Sequence, residues 1–270
     1  MRNSTGERIV LLGWGAIGQR LAALLGARGG AAQIVGIAVT DAARPRAGLP
    51  AEAALIDDPG ALAGLRPTLV VEAAGRASVL PWGETALLAG ADFAIASTSA
   101  LGDGQVLARL RDLAERGGAQ ILVPPGALGG IDALAAAARL PLHRVEHRIV
   151  KPPAAWAGTG AEDLCNLSAL TGPVDFLSGS AREVASAFPQ NANVAAIAAL
   201  AGAGMDHTTI TLVADPAAVR NRHHLIAEGE SGRIEVLLEN RPLATNPKSS
   251  ELTALSLLRL IENRSASLVI

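Results

Sequence analysis

Three glycines near the start of the chain have the spacing of a pyrophosphate-binding turn. Gly13, Gly15 and Gly18 form the pattern Gly-x-Gly-x-x-Gly, with Ala16 and Ile17 inside it. In this motif the first glycine permits a tight turn, the second lets backbone amides approach the phosphates, and the third lets a helix pack closely on a strand. If a strand precedes the motif and a helix follows it, the pattern predicts a site for NAD or NADP.

The five histidines are the side chains best suited to acid–base chemistry near neutral pH. His223 and His224 are adjacent, and in a strand their imidazoles point to opposite faces. One of them could then reach a cleft while the other packs or is solvated. His143 and His147 flank the start of a predicted strand, which favours a surface or structural role, and His207 lies in a predicted turn.

Two other polar side chains lie beside predicted helices. Asn193 opens, or sits early in, an alanine-rich helix, where it could contact a ligand or simply cap the helix. Lys248 precedes the last predicted helix, and together with that helix's N-terminus it would make an anion site. An exposed loop lysine is the alternative interpretation.

Composition excludes several classes of function. The 270 residues carry a formal net charge of −2 and only 2% aromatic residues, which gives no footprint for nucleic acid or an anionic membrane. No Cys/His or Glu/His cluster has metal-ligand spacing, so we predict no metal site. The single cysteine, Cys165, excludes an intramolecular disulfide and fits a reducing cytoplasm. We expect a soluble cytoplasmic protein that acts on a small molecule.

The residues on either side of the glycine motif have the required patterns. Residues 9–13 form a short apolar run that is typical of a buried parallel strand. Ile17, Leu21 and Leu24 follow at helical spacing, so the motif lies at a strand-to-helix turn. The N-terminus of that helix offers unpaired N–H groups and a partial positive charge to a bound anion.

The choice between NAD and NADP depends on the next strand, predicted over residues 33–39. Asp41 follows it, 23 positions beyond Gly18, near the spacing at which an acid binds the adenosine ribose. A turn role for Asp41 is equally compatible with its position. Arg44 and Arg46 lie beside it and could instead hold a 2′-phosphate, so the sequence leaves the preference open.

Small residues end two further predicted strands, over residues 68–73 and 93–97. Ala73, Ala74 and Ser97 stand where a flat cofactor must lie across the carboxyl edge of a parallel sheet. The alternation of strands and helices up to residue 130 predicts a Rossmann-type, doubly wound parallel sheet. We therefore assign residues 1–130 to a dinucleotide-binding domain.

Beyond residue 130 the strand pattern changes. Val145, His147 and Ile149 alternate with polar residues, as expected for a mixed or antiparallel sheet with one wetter face. We assign residues 131–245 to a second α/β domain for substrate binding, catalysis and dimerisation. A final helix over residues 250–262 should return to the first domain with residues 246–270. Its predicted apolar stripe is Leu252, Leu255, Leu258 and Ile261.

The chain resembles the L-aspartate dehydrogenase family over nearly its whole length. The glycine loop is shared with many dehydrogenases, whereas the later stretches are far more specific. A small departure lies at residues 97–101, where relatives often have a glycine before the Ala-Leu pair. The stretches that carry the resemblance are residues 13–18, 71–75, 125–133, 151–153, 179–183, 191–195, 215–216 with 221–223, and 246–250.

This resemblance implies the NAD(P)⁺-dependent oxidative deamination of L-aspartate through iminoaspartate to oxaloacetate and ammonia. It implies that His223 is the active-site histidine and that Asn193 and Ala127 lie in the two segments that contact the cofactor. A different alignment of residues 126–133 would place the alanine contact at Ala133. The family also implies a homodimer and an imine that feeds NAD biosynthesis.

A substrate with two carboxylates needs at least two cationic or helix-terminal partners. The candidates are Lys248, Arg182 and Lys151. Other interpretations keep the fold and change the function, to homoserine-dehydrogenase-like or dihydrodipicolinate-reductase-like chemistry, or to a dinucleotide sensor without turnover. The stretches Asn221-x-His223 and Asn246-Pro247-Lys248 favour the aspartate interpretation.

Overall fold

The first half of the chain alternates strands and helices. The structure is a computed structural model that describes residues 6–270, apart from the side chains of Gln190, Pro247 and Lys248. Up to residue 122 the elements are β1 (Arg8–Leu12), α1 (Ala16–Arg28), β2 (Gln33–Ala38), β3 (Ala54–Ile56), α2 (Leu62–Leu65), β4 (Leu69–Glu72), α3 (Arg76–Leu88), β5 (Asp92–Ile95), α4 (Gly104–Gly117) and β6 (Ile121–Leu122).

The second half is richer in long strands and ends in a helix. Its elements are α5 (Ile131–Ala137), β7 (Leu142–Lys151), α6 (Ala161–Leu164), β8 (Val174–Ser180), α7 (Ala181–Ala187), α8 (Ala192–Ala201), β9 (Thr209–Ala214), β10 (Asn221–Gly229), β11 (Gly232–Asn240), β12 (Pro242–Leu243), β13 (Asn246–Ser250) and α9 (Glu251–Ser265).

Strands β1 to β6 form one parallel sheet in the order β3-β2-β1-β4-β5-β6. The order reverses beside β1, and ligands of open α/β sheets bind outside the carboxyl ends of the strands at such a point. The predicted doubly wound parallel sheet is confirmed. The second strand ends at Ala38, one residue earlier than predicted, which leaves Val39 and Thr40 in the loop that follows.

The last helix packs on this parallel sheet, as predicted. Leu257, Leu258 and Ile261 of α9 share a buried cluster with Ile9 and Leu11 of β1. The predicted stripe is confirmed at Leu258 and Ile261. It is wrong at Leu255, which is 39% exposed, and Leu252 is only partly buried and lies outside the cluster, whereas Leu257 belongs to the core. The buried face follows the spacing of 254, 257, 258 and 261, which is the three-and-four pattern of a straight helix.

Strands β7 to β11 form a second, mixed sheet in the order β11-β10-β7-β9-β8. Only the β7–β9 pair is parallel, and the other three pairs are antiparallel. The predicted mixed sheet is confirmed. Alanine-rich α8 covers one face, where Ala195 and Ala199 pack with Ile149 and Ile210. Small side chains let this helix lie close to the strands.

Contacts divide the chain into two compact units. The first runs to Gly126 and includes Thr253–Ile270, and the second is Ala127–Leu252. The functional domain assignment made from the sequence, with limits at residues 130 and 245, stays a prediction. In the part of the chain that the structure describes, no helix combines the length and apolar character needed to cross a bilayer.

Candidate active site

The glycine motif forms the turn between β1 and α1. Gly13 has a φ of +94°, and a Cβ there would lie 2.8 Å from the carbonyl oxygen of Ala73. A Cβ at Gly18 would collide with the carbonyl oxygen of Gly13, so only glycine lets α1 approach β1 this closely. Gly15 is the N-cap of α1 and has open space where its Cβ would be. These are the three predicted tasks of the motif.

A cavity of about 550 Å³ opens at this turn. Gly13 and Gly15 line it on one side, and Ala73 and Ala74 line it on another. The first turn of α1 contains no acidic residue, so its N-terminal partial charge is available to a diphosphate. Because the turn and α1 offer unblocked amides and small side chains, the residues present fit a dinucleotide. The predicted motif residues Ala16 and Ile17 form the first turn of α1.

Glu72, which the sequence did not single out, holds two loops of this edge together. Its side chain is fully buried at the end of β4. One oxygen accepts from the amides of Ala74 and Gly75 at 2.8 Å, and the hydroxyl of Ser78 lies 3.3 Å from it. The carboxylate also accepts from the amide and hydroxyl of Ser97, both at 2.9 Å. Ser97, predicted as a cofactor contact, therefore donates its amide and hydroxyl hydrogens to Glu72.

The loop after β2 presents an arginine to the cavity. Arg46 and Asp57 line the cavity, together with Thr40. The Oδ1 atom of Asp41 accepts from the amide of Ala43 at 2.9 Å, which is the turn role left open by the sequence. Arg46 is anchored by a 2.7 Å bond from Nη1 to the carbonyl oxygen of Asp41. A cation at this position suits a phosphate on the adenosine ribose.

One face of the β7–β10 ladder gathers the titratable side chains of the second unit. His223 on β10 lies opposite Ile149 on β7, so His147 and Lys151 are its diagonal neighbours on that face. Diagonal neighbours are within reach of long or aromatic side chains. The strand therefore places an imidazole on one side of His223 and an ammonium on the other.

His223 is buried, with 6% of its surface exposed. Its Nδ1 lies 3.1 Å from Nε2 of His147, whose side chain is fully buried. His224 points to the other face, as predicted, and its Nε2 lies 2.7 Å from a carboxylate oxygen of Glu235. The two adjacent histidines thus have separate environments, and only His223 is enclosed.

Lys151 is largely enclosed and has a neutral partner. Its Nζ donates to Oδ1 of Asn191 at 2.6 Å and lies 4.6 Å from the ring centroid of Trp156. Among the described side chains no carboxylate pairs with it. Burial lowers the pKa of Lys151 to about 8. The ammonium is therefore charged at neutral pH, and its positive charge is not neutralised by a described side chain, so it can bind an anion.

Burial is also the main cause of the lowered pKa values of the two facing imidazoles, His223 and His147. Burial, together with the positive charge of Lys151, lowers the pKa of His223 to about 4. Burial, with His223 and His224 as smaller causes, lowers the pKa of His147 well below its usual 6.5. Both rings are neutral at neutral pH. One ring nitrogen of His223 therefore carries a proton, and the other has a lone pair that can accept one.

The predicted cofactor contacts of the second unit lie in the loop before α5 and in the first turns of α5 and α8. Ala127 is buried, and its carbonyl oxygen accepts from Nδ2 of Asn240 at 2.7 Å. Asn193 is exposed in the first turn of α8, two residues after Asn191, the partner of Lys151. Ala133, the alternative contact, is exposed on α5. The contacts themselves stay predictions.

The other two predicted substrate ligands are placed differently from Lys151. Arg182 forms a two-pronged ion pair with Asp206, with Nε and Nη2 at 2.6 and 2.9 Å from the carboxylate oxygens. Half of the Arg182 side chain is exposed. The backbone of Lys248 lies in β13, and its side chain lies outside the described residues. The structure thus brings Lys151, and not Arg182, beside His223.

His147 is the residue that sequence reasoning passed over. Its position at the start of a strand predicts a surface or structural role, although the alternation places it on the apolar face with Val145 and Ile149. A histidine on the apolar face of an alternating strand was the signal available in the sequence. In the structure it lies two residues before Ile149, which is opposite His223. Among the described residues, no group of three or more His, Cys, Asp or Glu side chains could hold a metal ion.

Comparisons with known families divide the chain in the same order as its elements. The family model described as "Homoserine dehydrogenase, NAD binding domain" matches residues 13–124. The one described as "Aspartate dehydrogenase, C-terminal" matches residues 132–264. The first match covers the parallel sheet with the glycine turn, and the second covers the mixed sheet with His147, Lys151 and His223.

Individual relatives cover the chain from end to end. It is 57% identical over 267 residues to L-aspartate dehydrogenase from Brucella anthropi, covering 99% of this chain and 100% of the relative. L-aspartate dehydrogenase from Ruegeria pomeroyi is 44% identical, with 97% and 94% covered. The crystal structure of aspartate dehydrogenase from Thermotoga maritima is 25% identical, with a TM-score of 0.77 and 98% and 99% covered.

Proposed function

Since the chain belongs to the L-aspartate dehydrogenase family, we propose that it catalyses the NAD(P)⁺-dependent oxidative deamination of L-aspartate. The products are oxaloacetate and ammonia, formed through iminoaspartate. The observation that carries the proposal is the pairing, on one face of the second sheet, of a buried neutral imidazole with a buried ammonium that has a neutral partner. The glycine turn and its cavity supply the dinucleotide site.

The protein's part in the reaction is to move protons and to orient the substrate. When bound, NAD(P)⁺ accepts the hydride from Cα of aspartate. His223 takes a proton from the substrate ammonium, because only a neutral amine has the lone pair that expels the hydride. After the imine has formed and His223 has released that proton to solvent, the neutral imidazole deprotonates the water that attacks the imine carbon.

Lys151 binds one carboxylate of the substrate. A carboxylate beside a buried ammonium gains a charge-assisted hydrogen bond, and it also compensates the positive charge that lowers the pKa of His223. Substrate binding therefore raises the basicity of the imidazole at the moment when a base is needed. An amino acid with a single carboxylate cannot pair with Lys151 and, at the same time, place a carboxylate at a second cationic partner.

Arg46 favours acceptance of NADP as well as NAD, because it brings a cation to the loop that follows β2. Asn193 and Ala127 would contact the nicotinamide part of the cofactor. We further propose a homodimer in the cytoplasm, in keeping with the family, with no nucleic-acid or membrane partner. Lys248 stays a candidate for the second carboxylate.

The experiment that tests the proposal measures NAD(P)H formation across a panel of L-amino acids. We expect turnover with L-aspartate and little with L-alanine or L-homoserine. Turnover of homoserine in place of aspartate would support the homoserine-dehydrogenase alternative. The alternative is worth testing because residues 13–124 match the family model of the homoserine dehydrogenase NAD-binding domain. Tight cofactor binding without turnover of any amino acid would support a sensor.

A further inference from the structure

The imidazole of His147 has no role in the reaction described above. Among the described residues, however, it is the ring that is hydrogen-bonded to His223. The Nε2–Nδ1 distance is 3.1 Å, and the ring centroids are 5.2 Å apart at 39°. His147 is fully buried, and its Nδ1 has no partner among the described residues. A fully buried histidine with one satisfied nitrogen, pointed at a base, calls for an explanation.

We propose that His147 is a positioning residue, which accepts the Nδ1–H of His223 at its Nε2 and so keeps Nε2 of His223 free to take the substrate proton. The proposal rests on His223 acting as the base. It adds a residue that acts through another and does not touch the substrate.

The positions of the protons on the two rings decide which histidine donates. A neutral imidazole has one N–H, so the bond between the rings has a single proton in it. If His147 donated that proton, His223 would carry its own on Nε2 and could not act as a base there. If His223 donates, Nε2 is bare and His147 holds its proton on Nδ1. Only the second arrangement is competent.

The same arrangement persists after the proton has been taken. The imidazolium of His223 has N–H donors at both nitrogens, so His147 must then be the acceptor. No proton has to move along the bond between the rings during the step. Because His147 is fully buried, it does not take the charge itself, and the proton stays on Nε2 of His223 until it is released to solvent.

The surroundings of the pair keep this assignment simple. Among the described side chains, the charged or titratable groups that act on the pair are Lys151 on β7 and His224 on the other face of β10. Helix α8, which covers this face of the sheet, has no titratable side chain in its sequence. A neutral acceptor, unlike a carboxylate, fixes the tautomer of a base without holding its acid form by charge.

Replacement of His147 separates positioning from packing. His147→Leu fills much of the volume and removes the acceptor, and His147→Gln keeps a carbonyl acceptor near the place of Nε2. We expect kcat for L-aspartate to fall on the order of 10²-fold in His147→Leu, with KM within about threefold, and His147→Gln to restore most of kcat. The matched control is His143→Leu, at an exposed position of the same strand.

Histidine ¹⁵N NMR reads the tautomer without reference to activity. In the full chain with NADH and succinate bound, we expect the proton of His223 on Nδ1 in the wild type and in His147→Gln. A proton on Nε2 of His223 in that complex, or an unchanged kcat in His147→Leu, would overturn the proposal. Equal losses of kcat in the Leu and Gln variants at equal melting temperature would overturn it too. Full activity of His223→Ala would instead refute the base on which the inference rests.

Discussion

At the scale of single residues, the site depends on a lysine kept from water without a counter-charge. Lys151 donates to a neutral amide oxygen and lies over an indole ring. Removing its ammonium from water is unfavourable, which is why its pKa falls to about 8. A substrate carboxylate would relieve that cost, so the site is built to favour an anionic ligand.

Lys151→Met keeps the length of the side chain and removes the charge. We expect the KM for L-aspartate to rise about 10- to 100-fold, the loss of a hydrogen bond to a charged group of about 1.5–3 kcal/mol. In the wild type, kcat/KM should fall as the pH rises above about 8, because Lys151 then loses its proton. Steady-state kinetics between pH 6.5 and 9 would measure both.

The matched control for this lysine is Arg182→Met. Asp206 already neutralises that guanidinium, so the variant should keep the wild-type KM. A raised KM in Arg182→Met with an unchanged KM in Lys151→Met would reverse the assignment of the carboxylate ligand.

Residue types and spacing predicted the glycine turn and the opposite orientations of His223 and His224. They did not predict the bond between His147 and His223, because that bond depends on the register of β7 against β10. The sequence shows the alternation within each strand but not which residues of two strands lie opposite each other. The role of Glu72 was missed for the same reason, since its partner Ser97 is 25 positions away.

At the scale of elements, the approach of α1 to β1 decides whether the pyrophosphate turn forms. Gly18 lies in α1 with its Cα facing the carbonyl oxygen of Gly13, and it is buried. Helix propensity would favour alanine at such a position. Close packing therefore outweighs propensity here, and a second glycine of the same helix allows the two effects to be compared.

Gly18→Ala should destabilise the protein by about 1–3 kcal/mol and weaken cofactor binding, because the added methyl must push α1 away from the turn. Gly26→Ala, in the same helix with open space around it, should stabilise the protein by about 0.5–1 kcal/mol. Urea unfolding and NADH titration of both variants measure the contrast. Equal stability of the two would mean that the turn tolerates a wider spacing.

Periodicity predicted most elements, and its errors have physical causes. The strands of the first sheet are buried over most of their length, as expected of a parallel sheet, and the alternating burial of β7, β10 and β11 shows their single wet face. The stripe of α9 was misread at Leu255, because several leucines in the helix fit more than one helical face. Contacts with β1, which the sequence does not show, selected Leu257.

At the scale of the whole molecule, two neutral histidines buried in one sheet make stability depend on pH. His223 has a pKa of about 4 in the folded chain and an ordinary value near 6.5 when unfolded. Between these values the unfolded chain binds a proton that the folded chain does not, so the free energy of unfolding falls as the pH falls. His147, with a pKa also well below 6.5, acts in the same direction.

We expect His223 alone to remove about 2 kcal/mol of stability between pH 7 and pH 5. His147→Leu should lose less stability than the wild type over this interval, since one of the two groups is gone. Urea midpoints at pH 7 and pH 5 for both proteins provide the measurement. Parallel losses in the two proteins would show that His147 does not titrate with folding.

The doubly wound parallel character of the first sheet and the mixed nature of the second sheet were both predictable from the sequence, whereas the strand order was not predicted. The family relationship extends the same division, with one family matching each sheet. What the sequence could not supply is which polar groups of the second sheet meet at the level of His223. That arrangement follows from strand pairing over separations of more than 70 residues.

The most direct test of the whole account is the effect of His223→Ala on the oxidation of L-aspartate, measured beside the dissociation constant for NADH. We predict a fall in kcat of about 10²- to 10⁴-fold with NADH affinity unchanged, and wild-type kcat in His224→Ala. A His223→Ala enzyme that keeps its kcat, or a His224→Ala enzyme that loses it, would contradict the central claim.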